Sequence, residues 1–281
     1  MPLEGRKPLK CVGLLYHPKI PQSRDLAREL QQAIEGLGLS PWVVSAWDEA
    51  EIRRRIADLD LLVTLGGDGT ILRAARIAAP YAVPILGVNF GRLGFLAEVE
   101  PEEALDKVPL VLNGEYWLEE RMMLHAELFR DEERLGTYEA LNDVFVGRGS
   151  VPKAVRLTIC IDDDCLGTYV ADGALVATPT GSTAYSLAAG GPIVAPQLRS
   201  LLFMPIMPHL ALVRSLVLPP EARVRIQVST DYDAVLTVDG QVNVDLLDGD
   251  SVEATASRHT IPFIRLQPRA HFYETLLERL R

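Results

Sequence analysis

The chain has 281 residues, a formal net charge of −10 at pH 7 and a hydrophobic share of 48%. This length favours two domains, and this share of apolar residues is normal for a globular protein with a sizeable core. The acidic balance argues against a general nucleic-acid binder, which needs a basic face. It leaves a nucleotide-binding protein open, because backbone amides and a metal ion can hold phosphate with few basic side chains.

The sequence carries no signal for secretion or membrane insertion. Residues 1–7 lead into no apolar core of a signal peptide. The longest uncharged apolar stretch, Ser200–Val213, is too short to span a bilayer, and prolines interrupt it. We therefore expect a soluble, cytoplasmic protein that has no membrane partner.

The three cysteines form a sparse, odd-numbered set, Cys11, Cys160 and Cys165, which predicts a reducing compartment and no structural disulfide. The last two flank the acidic run 162–164. A metal site there is one interpretation, but a solvated hairpin turn is favoured, because no histidine or second cysteine pair lies nearby.

The first third of the chain alternates strand and helix patterns, which predicts βαβ units and a mainly parallel sheet. Ser23 and Asp48 are candidate helix N-caps, and Gly36 and Gly38 would end the first helix. In chain order, the predicted elements are the strand Cys11–Tyr16, a helix after Ser23, the strand Trp42–Val44, a short helix after Asp48, the strand Leu61–Leu65, the helix Ile71–Ala79 and the strand Val83–Val88.

Two loops follow strands of this predicted sheet, Gly66–Thr70 after the third strand and Asn89–Phe95 after the fourth. Ligands of parallel sheets bind beyond the carboxyl ends of the strands, so we expect both loops to converge on one edge. The glycines and phenylalanines of the second loop, with Leu96 behind them, can form a pocket wall for a purine ring or pack under the loop.

The first loop is the strongest signal in the chain. A strand, a Gly-rich turn and a helix N-terminus form a phosphate-binding layout, because glycine lets the backbone approach an anion and the helix adds N–H groups and partial positive charge. Asp68 lies inside the turn and would repel bare phosphate, so it predicts a bridging Mg²⁺ or a hydroxyl that it deprotonates. This combination indicates a kinase. The plainer interpretations are glycines that serve turn geometry alone, and Asp68 or Thr70 as a helix N-cap.

After about Glu115 the pattern changes to short β-rich runs, which predict a mostly antiparallel sandwich or a similar fold. Within the last but one of these runs, Asp239-Gly240 lies between Val235–Val238 and Val242–Val244 and is a strong hairpin signal. A short amphipathic helix, Phe272–Leu280, follows and is expected to return to the first domain. The predicted strands are Met122–Phe129, Tyr138–Val146, Val155–Ile161, Thr168–Thr178, Val224–Ser229, Ala234–Val244 and Ser251–Ala256.

An amide and a carboxylate, Asn142 and Asp143, are adjacent within one of these β runs. Neighbours in a regular strand point to opposite faces, so both could reach one ligand only at a strand end or a bulge. An ordinary turn is the alternative that composition favours.

The stretch Thr178–Pro192 combines hydroxyl groups and small residues with a closing Gly-Gly-Pro. It predicts a short helix that Ser182 or Thr183 would cap. A serine nucleophile served by His209 is disfavoured, because the glycine spacing of a nucleophile elbow is missing.

Leu65–Thr70 and Pro179–Pro192 together resemble the NAD kinase family, and the resemblance covers nearly the whole chain, from the first strand to about Phe263. The Gly-Gly-Asp-Gly turn is also similar to that of diacylglycerol-type lipid kinases and phosphofructokinases, whereas the second block is specific to NAD kinases. Supporting pieces follow in the family's order: Asn89–Leu96, Asn142-Asp143, Asp172-Gly173, Pro208-His209, Leu216–Pro219 and Asp239–Gln241.

The resemblance implies a fold of two domains. An α/β domain with a mainly parallel sheet, Rossmann-like or phosphofructokinase-like, would span residues 1–115 and bind phosphate, with residues 264–281 returning to it. A β-rich, sandwich-like domain over residues 116–263 would carry the dinucleotide. The implied reaction transfers the terminal phosphoryl group of ATP to the 2′-hydroxyl of the adenosine ribose of NAD, giving NADP.

The resemblance also implies roles for individual residues, with Asp68 as the general base. Some members carry arginine at the position of Val170, which leaves the preference between NAD and NADH open. Phosphate would lie against Gly66, Gly67, Gly69 and Thr70. The implied contacts with NAD are Asp68, Gly69, Arg73, Phe95, Asn142, Asp143, Lys153, Val170, Asp172, Thr183, Ala184, Tyr185, Ser186, Leu187, Ala188 and Gln241.

The implied partners are small molecules and further copies of the chain. NAD and ATP, or polyphosphate as the donor, would be substrates. Mg²⁺ or another divalent cation would be bound with ATP, either directly by the protein or only through phosphate. The family forms homodimers or homotetramers, in which Asp172 often meets the dinucleotide of a neighbouring subunit. Two other function classes stay open: a lipid kinase, which would need an acyl tunnel, and a non-catalytic dinucleotide sensor, which would not need Asp68.

Overall fold

A computed structural model describes residues 9–91, 94–151, 153–208 and 214–279. The chain divides into two compact units. The first contains residues 1–120 and 261–281, and the second contains residues 121–260. Of the residues and ranges named above, residues 1–7, Arg92, Leu93, His209, residues 210–213 and Leu280 lie outside the described ranges.

The first unit is built on a parallel sheet with the strand order β2-β1-β3-β4, which a short contact of Phe263 with Ile85 extends to β16. All residues of the third strand are buried, because helices lie along the sheet. The strands are β1 (Cys11–Tyr16), β2 (Ser40–Ser45), β3 (Leu61–Gly66), β4 (Ile85–Asn89) and the end of β16 (Ser251–Arg265).

The first helix buries an apolar face against this sheet. Leu30 and Ile34 of the first helix join Leu14, Val63 and Leu86 of the strands in one core. The helices of this unit are α1 (Pro21–Gly36), α2 (Glu49–Arg55), α3 (Asp68–Ala78), α4 (Ala104–Leu112) and α6 (His271–Arg279), whereas α5 (Tyr185–Ala188) belongs to the second unit.

Of the two N-caps predicted in the first third of the chain, one is confirmed and one is wrong. Asp48 does cap α2, because its side chain accepts the N–H of Glu51 at 3.1 Å. Ser23 is not the cap of α1, since the helix begins at Pro21, whose fixed φ suits the first helical position. The hydroxyl of Ser23 instead donates to the carbonyl of Ile20 at 2.7 Å.

The second unit is an antiparallel sandwich, as predicted. One sheet has the order β16-β13-β8-β9, with β5 paired to β16 and β6, and the other has the order β12-β11-β10-β7-β14-β15. Both sheets contribute to one core, which includes Leu124, Ile226, Val176 and Phe203. Its strands are β5 (Trp117–Arg130), β6 (Glu133–Ala140), β7 (Asp143–Arg148), β8 (Val155–Ile161), β9 (Asp164–Ala171), β10 (Gly173–Ala177), β11 (Leu201–Ile206), β12 (Leu216–Leu218), β13 (Val224–Ser229), β14 (Ala234–Val238), β15 (Val242–Leu246) and β16.

Two predicted strands are each two strands in the structure. The run 138–146 breaks at residues 141–142, and the run 168–178 breaks at Asp172. The predicted hairpin at Asp239-Gly240 is confirmed, with φ values of 50° and 64° and a bond from the N–H of Gln241 to the carbonyl of Val238 at 2.9 Å.

The prediction that no disulfide forms is wrong. Cys160 and Cys165 are joined by a disulfide across the β8–β9 hairpin, where the two residues are directly paired. Their sparse count misled the prediction, because a cross-strand pair in a hairpin brings two cysteines together without any framework of further bridges. Cys11 is free. The acidic run between the paired cysteines is the hairpin turn that the sequence favours over a metal site.

A buried ion cluster holds the C-terminal segment of the first unit. Arg265, 8% exposed in its side chain, donates to Glu98 at 3.0 Å and to Glu119 at 2.8 Å. The same guanidinium also donates to the carbonyl of Leu96 at 3.1 Å. The second oxygen of Glu98 accepts the main-chain N–H groups of Leu266 and Gln267. This arrangement ties the loop around residues 95–98 to the end of β16.

No helix in the described part of the chain is long and apolar enough to cross a membrane.

We predict that Arg265→Met lowers the free energy of unfolding by about 3–5 kcal/mol, because two buried carboxylates lose their cation. Urea unfolding measures the change. Arg134→Met is the matched control, since Arg134 pairs with Glu127 but is 59% exposed, and its loss should be below about 1 kcal/mol. Equal losses in both variants would contradict the assignment of Arg265 as a buried anchor.

Candidate active site

The Gly-rich turn joins the end of β3 to the start of α3. Gly67 is the N-cap residue, and Asp68 occupies the first position of the helix, three residues earlier than predicted. No side chain caps this N-terminus, so Asp68 and Thr70 are not N-caps. The carboxylate lies at the positive end of an eleven-residue helix.

The two loops predicted to converge do meet in the first unit. The N–H of Phe90 donates to the carbonyl of Gly66 at 3.0 Å. A Cβ on Gly94 would lie 1.9 Å from an oxygen of Asp68, so the second loop passes directly over the carboxylate. Only glycine permits this approach. The loop limits the directions from which a ligand can reach Asp68.

Gly67 differs from Gly94, because no packing demands a glycine there. Within the described residues, no atom beyond its chain neighbours lies within 4 Å of the position that a Cβ would take. Its φ of −89° and ψ of −176° are open to other residues as well. The missing side chain leaves space above the turn, which lets a ligand approach the main chain.

Arg73 and Phe95, two predicted contacts, flank this turn in the first unit. Arg73 donates to Glu49 at 2.8 Å, and its guanidinium lies over the ring of Trp47 at 4.9 Å. The ring of Phe95 is half-buried and lies 5.8 Å from the ring of Phe272 on α6. The C-terminal helix thus supports one wall of the loop that covers Asp68.

In the second unit, Asn142 and Asp143 lie where β6 ends and β7 begins. Of the three interpretations, the strand end is correct, because Asn142 lies in a bend and Asp143 is the first residue of β7. Asp239 accepts the N–H of Asn142 at 2.8 Å and that of Asp143 at 3.2 Å. The break frees the Asn142 side chain from the strict alternation of a strand.

The side chain of Asp143 is buried and carries a perturbed pKa. Burial, followed by the charge of Asp239, raises the pKa of Asp143 from 3.8 to about 7. The two carboxyl groups are 6% and 7% exposed. Near neutral pH, Asp143 therefore exchanges between a hydrogen-bond donor and a pure acceptor.

The block after β10 is a compact turn followed by α5, not the single capped helix of the prediction. Ser182 donates to the carbonyl of Pro179 at 2.6 Å and accepts the N–H of Val194 at 3.0 Å. Thr183 donates to the carbonyl of Thr180 at 3.1 Å. Neither hydroxyl caps α5, because both are used to fold the turn that precedes it.

Within this block, the predicted contacts differ in exposure. Tyr185 is 44% exposed, and its ring meets the edge of Phe145 at 5.9 Å. Ser186 is buried, and its hydroxyl faces the sulfur of Met204 at 3.4 Å. Among the remaining members, Ala188 is exposed, and Thr183, Ala184 and Leu187 are partly exposed.

The other predicted contacts lie on neighbouring strands and turns of the second unit. Asp172, at the break between β9 and β10, pairs with Arg148 at 3.2 Å. Lys153 donates to the hydroxyl of Tyr232 at 2.6 Å. Val170 is exposed on β9, and Gln241 is partly exposed where the β14–β15 hairpin turns.

Sequence reasoning missed two residues that these contacts single out. Gly94 was one glycine of a loop, and no pattern indicates that it lies over Asp68. The Asp239-Gly240 pair indicates a hairpin turn, but this pattern does not reveal that the carboxylate of Asp239 binds the main chain of another segment. An aspartate in the left-handed region has a side chain that can bond to main-chain groups, and this is the signal that could have indicated a second role.

Because of Asp143, the free energy of unfolding should fall as the pH rises from about 5 to about 8. Its pKa in the folded chain, about 7, lies above its value of 3.8 when unfolded, so the folded state holds the proton more tightly in this window. Urea unfolding at both pH values should show a loss of about 2–3 kcal/mol that Asp143→Asn does not share. Asp106→Asn, an exposed control on α4, should behave like the wild type. Equal pH dependence in the wild type and Asp143→Asn would refute the shift.

Comparisons with known proteins cover nearly the whole chain. The sequence models of the ATP-NAD kinase N-terminal domain and the ATP-NAD kinase C-terminal domain match residues 14–116 and 141–266. The NAD kinase of Chloroflexus aggregans is 42% identical over 273 residues, which are 97% of this chain and 99% of that relative. The NAD kinase of Moorella thermoacetica is 48% identical over 281 aligned residues, covering 97% of this chain and 90% of the relative.

Solved structures agree with the sequence matches. A yeast NADH kinase, crystallised with NADH, superposes with a TM-score of 0.84 at 30% identity and covers 98% of this chain and 88% of its own. The NAD kinase of Archaeoglobus fulgidus, crystallised with ATP, shares the fold with a TM-score of 0.78 at 24% identity, over 95% of this chain and 98% of its own. The chain belongs to the ATP-NAD kinase family.

Proposed function

We propose that Asp68 is the general base of the reaction that this chain, an NAD kinase, carries out with ATP and NAD. The 2′-hydroxyl oxygen of the adenosine ribose attacks the terminal phosphorus of ATP, the bond to the bridging oxygen breaks, and ADP leaves. Asp68 takes the proton of this hydroxyl group, or at least orients the hydroxyl group for attack. The single observation that carries this role is the position of the carboxylate, which lies at a helix N-terminus directly under Gly94.

The phosphate chain of the donor would lie against the main chain of the Gly-rich turn, at Gly66, Gly67, Gly69 and Thr70. Three features support this assignment: the positive end of α3, the exposure of Gly69, and the open space above Gly67. Because phosphoryl transfer depends mainly on positioning and charge neutralisation, main-chain donors of this kind supply much of the catalysis.

A divalent cation would be bound at this turn together with ATP. Among the described residues, no group of three or more histidine, cysteine, aspartate or glutamate side chains is arranged to hold a metal. Mg²⁺ in ATP sites needs only one or two carboxylates besides phosphate and water, and Asp68 is the carboxylate at the turn. When bound, Mg²⁺ would neutralise charge on the phosphates during transfer.

The dinucleotide would be held by polar groups and one aromatic ring of the second unit. Asn142 and Asp143 would hold adenine or ribose hydroxyl groups, and the exposed ring of Tyr185 would stack as a pocket wall. Asp172, already paired with Arg148, would meet the nicotinamide half. The other proposed contacts are Gly69, Arg73, Phe95, Lys153, Val170, Thr183, Ala184, Ser186, Leu187, Ala188 and Gln241.

The donor and the assembly state belong to the same proposal. ATP is the donor of the family, and polyphosphate presents the same phosphate chain to the turn. A homodimer or homotetramer would let Asp172 of one copy meet the dinucleotide of another. Membership in the family leaves the lipid kinase and the non-catalytic sensor without support.

Asp68→Asn should lower kcat at least about 100-fold, because the amide cannot take the proton, while the Kd for NAD stays within a few-fold. NADP formed from ATP, Mg²⁺ and NAD is read with an NADP-specific dehydrogenase. Asp106→Asn, the exposed control, should retain full activity. A kcat near the wild-type value would remove Asp68 from the role of base.

Gly67→Ala should lower kcat/KM for ATP about 10- to 100-fold, because a methyl group would occupy the space that the phosphates need. The change can come from a higher KM, a lower kcat or both. Its free energy of unfolding should stay within about 1 kcal/mol of the wild type. Gly36→Ala is the control, since a Cβ on Gly36 also meets no atom of the described residues within 4 Å. Normal kinetics with ATP in Gly67→Ala would show that the phosphates lie elsewhere.

Tyr185→Ala should weaken NAD binding about 5- to 10-fold through the loss of a ring that stacks on the ligand, with kcat at saturating NAD largely kept. Isothermal titration with NAD gives the Kd. Tyr81→Ala replaces a tyrosine of similar exposure, 48% against 44%, just beyond the C-terminal end of α3, the end away from the Gly-rich turn, and should leave the Kd unchanged. The assignment fails if both variants bind NAD like the wild type.

A further inference from the structure

Every main-chain polar group at the break between β6 and β7 has a partner from one of two distant segments. The N–H groups of Leu141, Asn142 and Asp143 donate to the carboxylate of Asp239 at 3.1, 2.8 and 3.2 Å. The carbonyl of Leu141 accepts the hydroxyl of Thr178 at 2.6 Å, and the carbonyl of Asn142 accepts the N–H of Thr178 at 2.9 Å. The carbonyl of Asp143 accepts the N–H of Asp239 at 2.9 Å.

A strand break in the interior needs such partners. Between Ala140 and Asp143 the chain leaves one sheet and enters the other, so the ladder cannot pair its N–H groups. Buried N–H groups without acceptors are strongly destabilising, and a single carboxylate oxygen can accept two of them. Asp239, 7% exposed, serves all three donors at once.

The position of Asp239 is itself fixed by its turn. It lies in the left-handed region, with φ of 50°, beside Gly240 with φ of 64°. The bond from the N–H of Gln241 to the carbonyl of Val238 closes the turn at 2.9 Å. Because the N–H of Asp239 also binds Asp143, the hairpin and the break hold each other in a reciprocal pair of bonds.

We propose that Asp239 is a positioning residue of the NAD kinase reaction, whose carboxylate fixes the main chain that presents Asn142 and Asp143 to the dinucleotide. This inference rests on the proposed contacts of Asn142 and Asp143 with NAD. It assigns Asp239 no contact with the reacting atoms.

The charge of Asp239 has a second effect on the same site. The strand β10 places the uncharged Ala177 opposite Asp143, and β14 ends at Val238, so Asp239 on the hairpin is the charged group that raises the pKa of Asp143. Deleting this charge lowers that pKa. A role in fold stability alone would not move the pH dependence of NAD binding.

The experiment compares Asp239→Asn with the wild type in the full-length chain. It measures kcat and the KM for NAD from pH 5.5 to 9, together with the thermal midpoint. We expect the KM for NAD to rise about 10-fold or more, because the amide nitrogen cannot accept the N–H that an oxygen accepted. We expect kcat to change less than KM, and the inflection near pH 7 in kcat/KM for NAD to move to lower pH.

Asp162→Asn is the matched control. Asp162 is also an aspartate of a hairpin turn with positive φ, 53°, and it accepts the N–H of Arg223 at 2.9 Å while its own N–H donates to the carbonyl of Arg223 at 2.8 Å. This control should keep the KM and the pH profile of the wild type. If Asp239→Asn loses thermal stability but keeps both kinetic properties, its role is only structural and the inference is overturned.

Two further variants complete the test. Asp239→Glu keeps the charge but lengthens the side chain, so it should keep the inflection near that of the wild type and still raise the KM for NAD. It carries the test if Asp239→Asn fails to fold, and an unchanged KM in Asp239→Glu would then overturn the inference. Asn142→Ala tests the site itself, since an unchanged KM there would refute the contact of Asn142 with NAD whatever Asp239 does. A raised KM in Asn142→Ala with a normal KM in Asp239→Asn would overturn the positioning role alone.

Discussion

The pairing of main-chain polar groups where strands end is the constraint on which the site segments depend. A strand that stops in the interior leaves N–H and C=O groups that the ladder no longer serves, and each must find another partner. At the end of β6 the partner is the carboxylate of Asp239. At the end of β3 the β3–β4 ladder itself serves the carbonyl of Gly66, through the N–H of Phe90, the residue that follows β4. Each pairing holds one of the segments proposed to bind substrate through main-chain geometry.

The same constraint explains why buried charges gather near these segments. Arg265 donates to carbonyl groups of the loop that passes over Asp68 and to two buried carboxylates. Asp239 accepts three N–H groups and raises the pKa of its neighbour Asp143. Buried ionic groups of this kind add little net stability compared with apolar packing, but their loss is costly, so they hold a loop in one arrangement. Phosphoryl transfer gains its rate from such fixed positions more than from covalent chemistry.

Much of the fold could be predicted from patterns along the chain. The alternation of buried strands and amphipathic helices up to Asn89 indicates the parallel sheet, and the short β runs after Glu115 indicate the sandwich. Boundaries were less accurate, because a run of β-forming residues does not reveal where it changes sheets. The run 138–146 is continuous in composition, yet Leu141 and Asn142 form a bend whose partners lie at Thr178 and Asp239. The disulfide was missed for a similar reason, since it depends on the register of the β8–β9 hairpin.

The sequence by itself determined the Gly-rich turn with its carboxylate, the polar pair at Asn142 and Asp143, and the hydroxyl-rich block before Pro192, and these segments identify the family. Their spacing is local, so it can be read without a fold. Only the tertiary structure decided that Gly94 lies over Asp68, that Ser182 and Thr183 fold a turn instead of capping a helix, and that Asp239 holds Asn142 and Asp143. Ser182 and Thr183 bond to carbonyl groups only three positions earlier in the chain. The contacts of Gly94 with Asp68 and of Asp239 with Asn142 instead join residues that lie far apart, 97 positions for Asn142 and Asp239. No local pattern encodes them, because they arise from the need to pair buried polar groups once the sheets have formed.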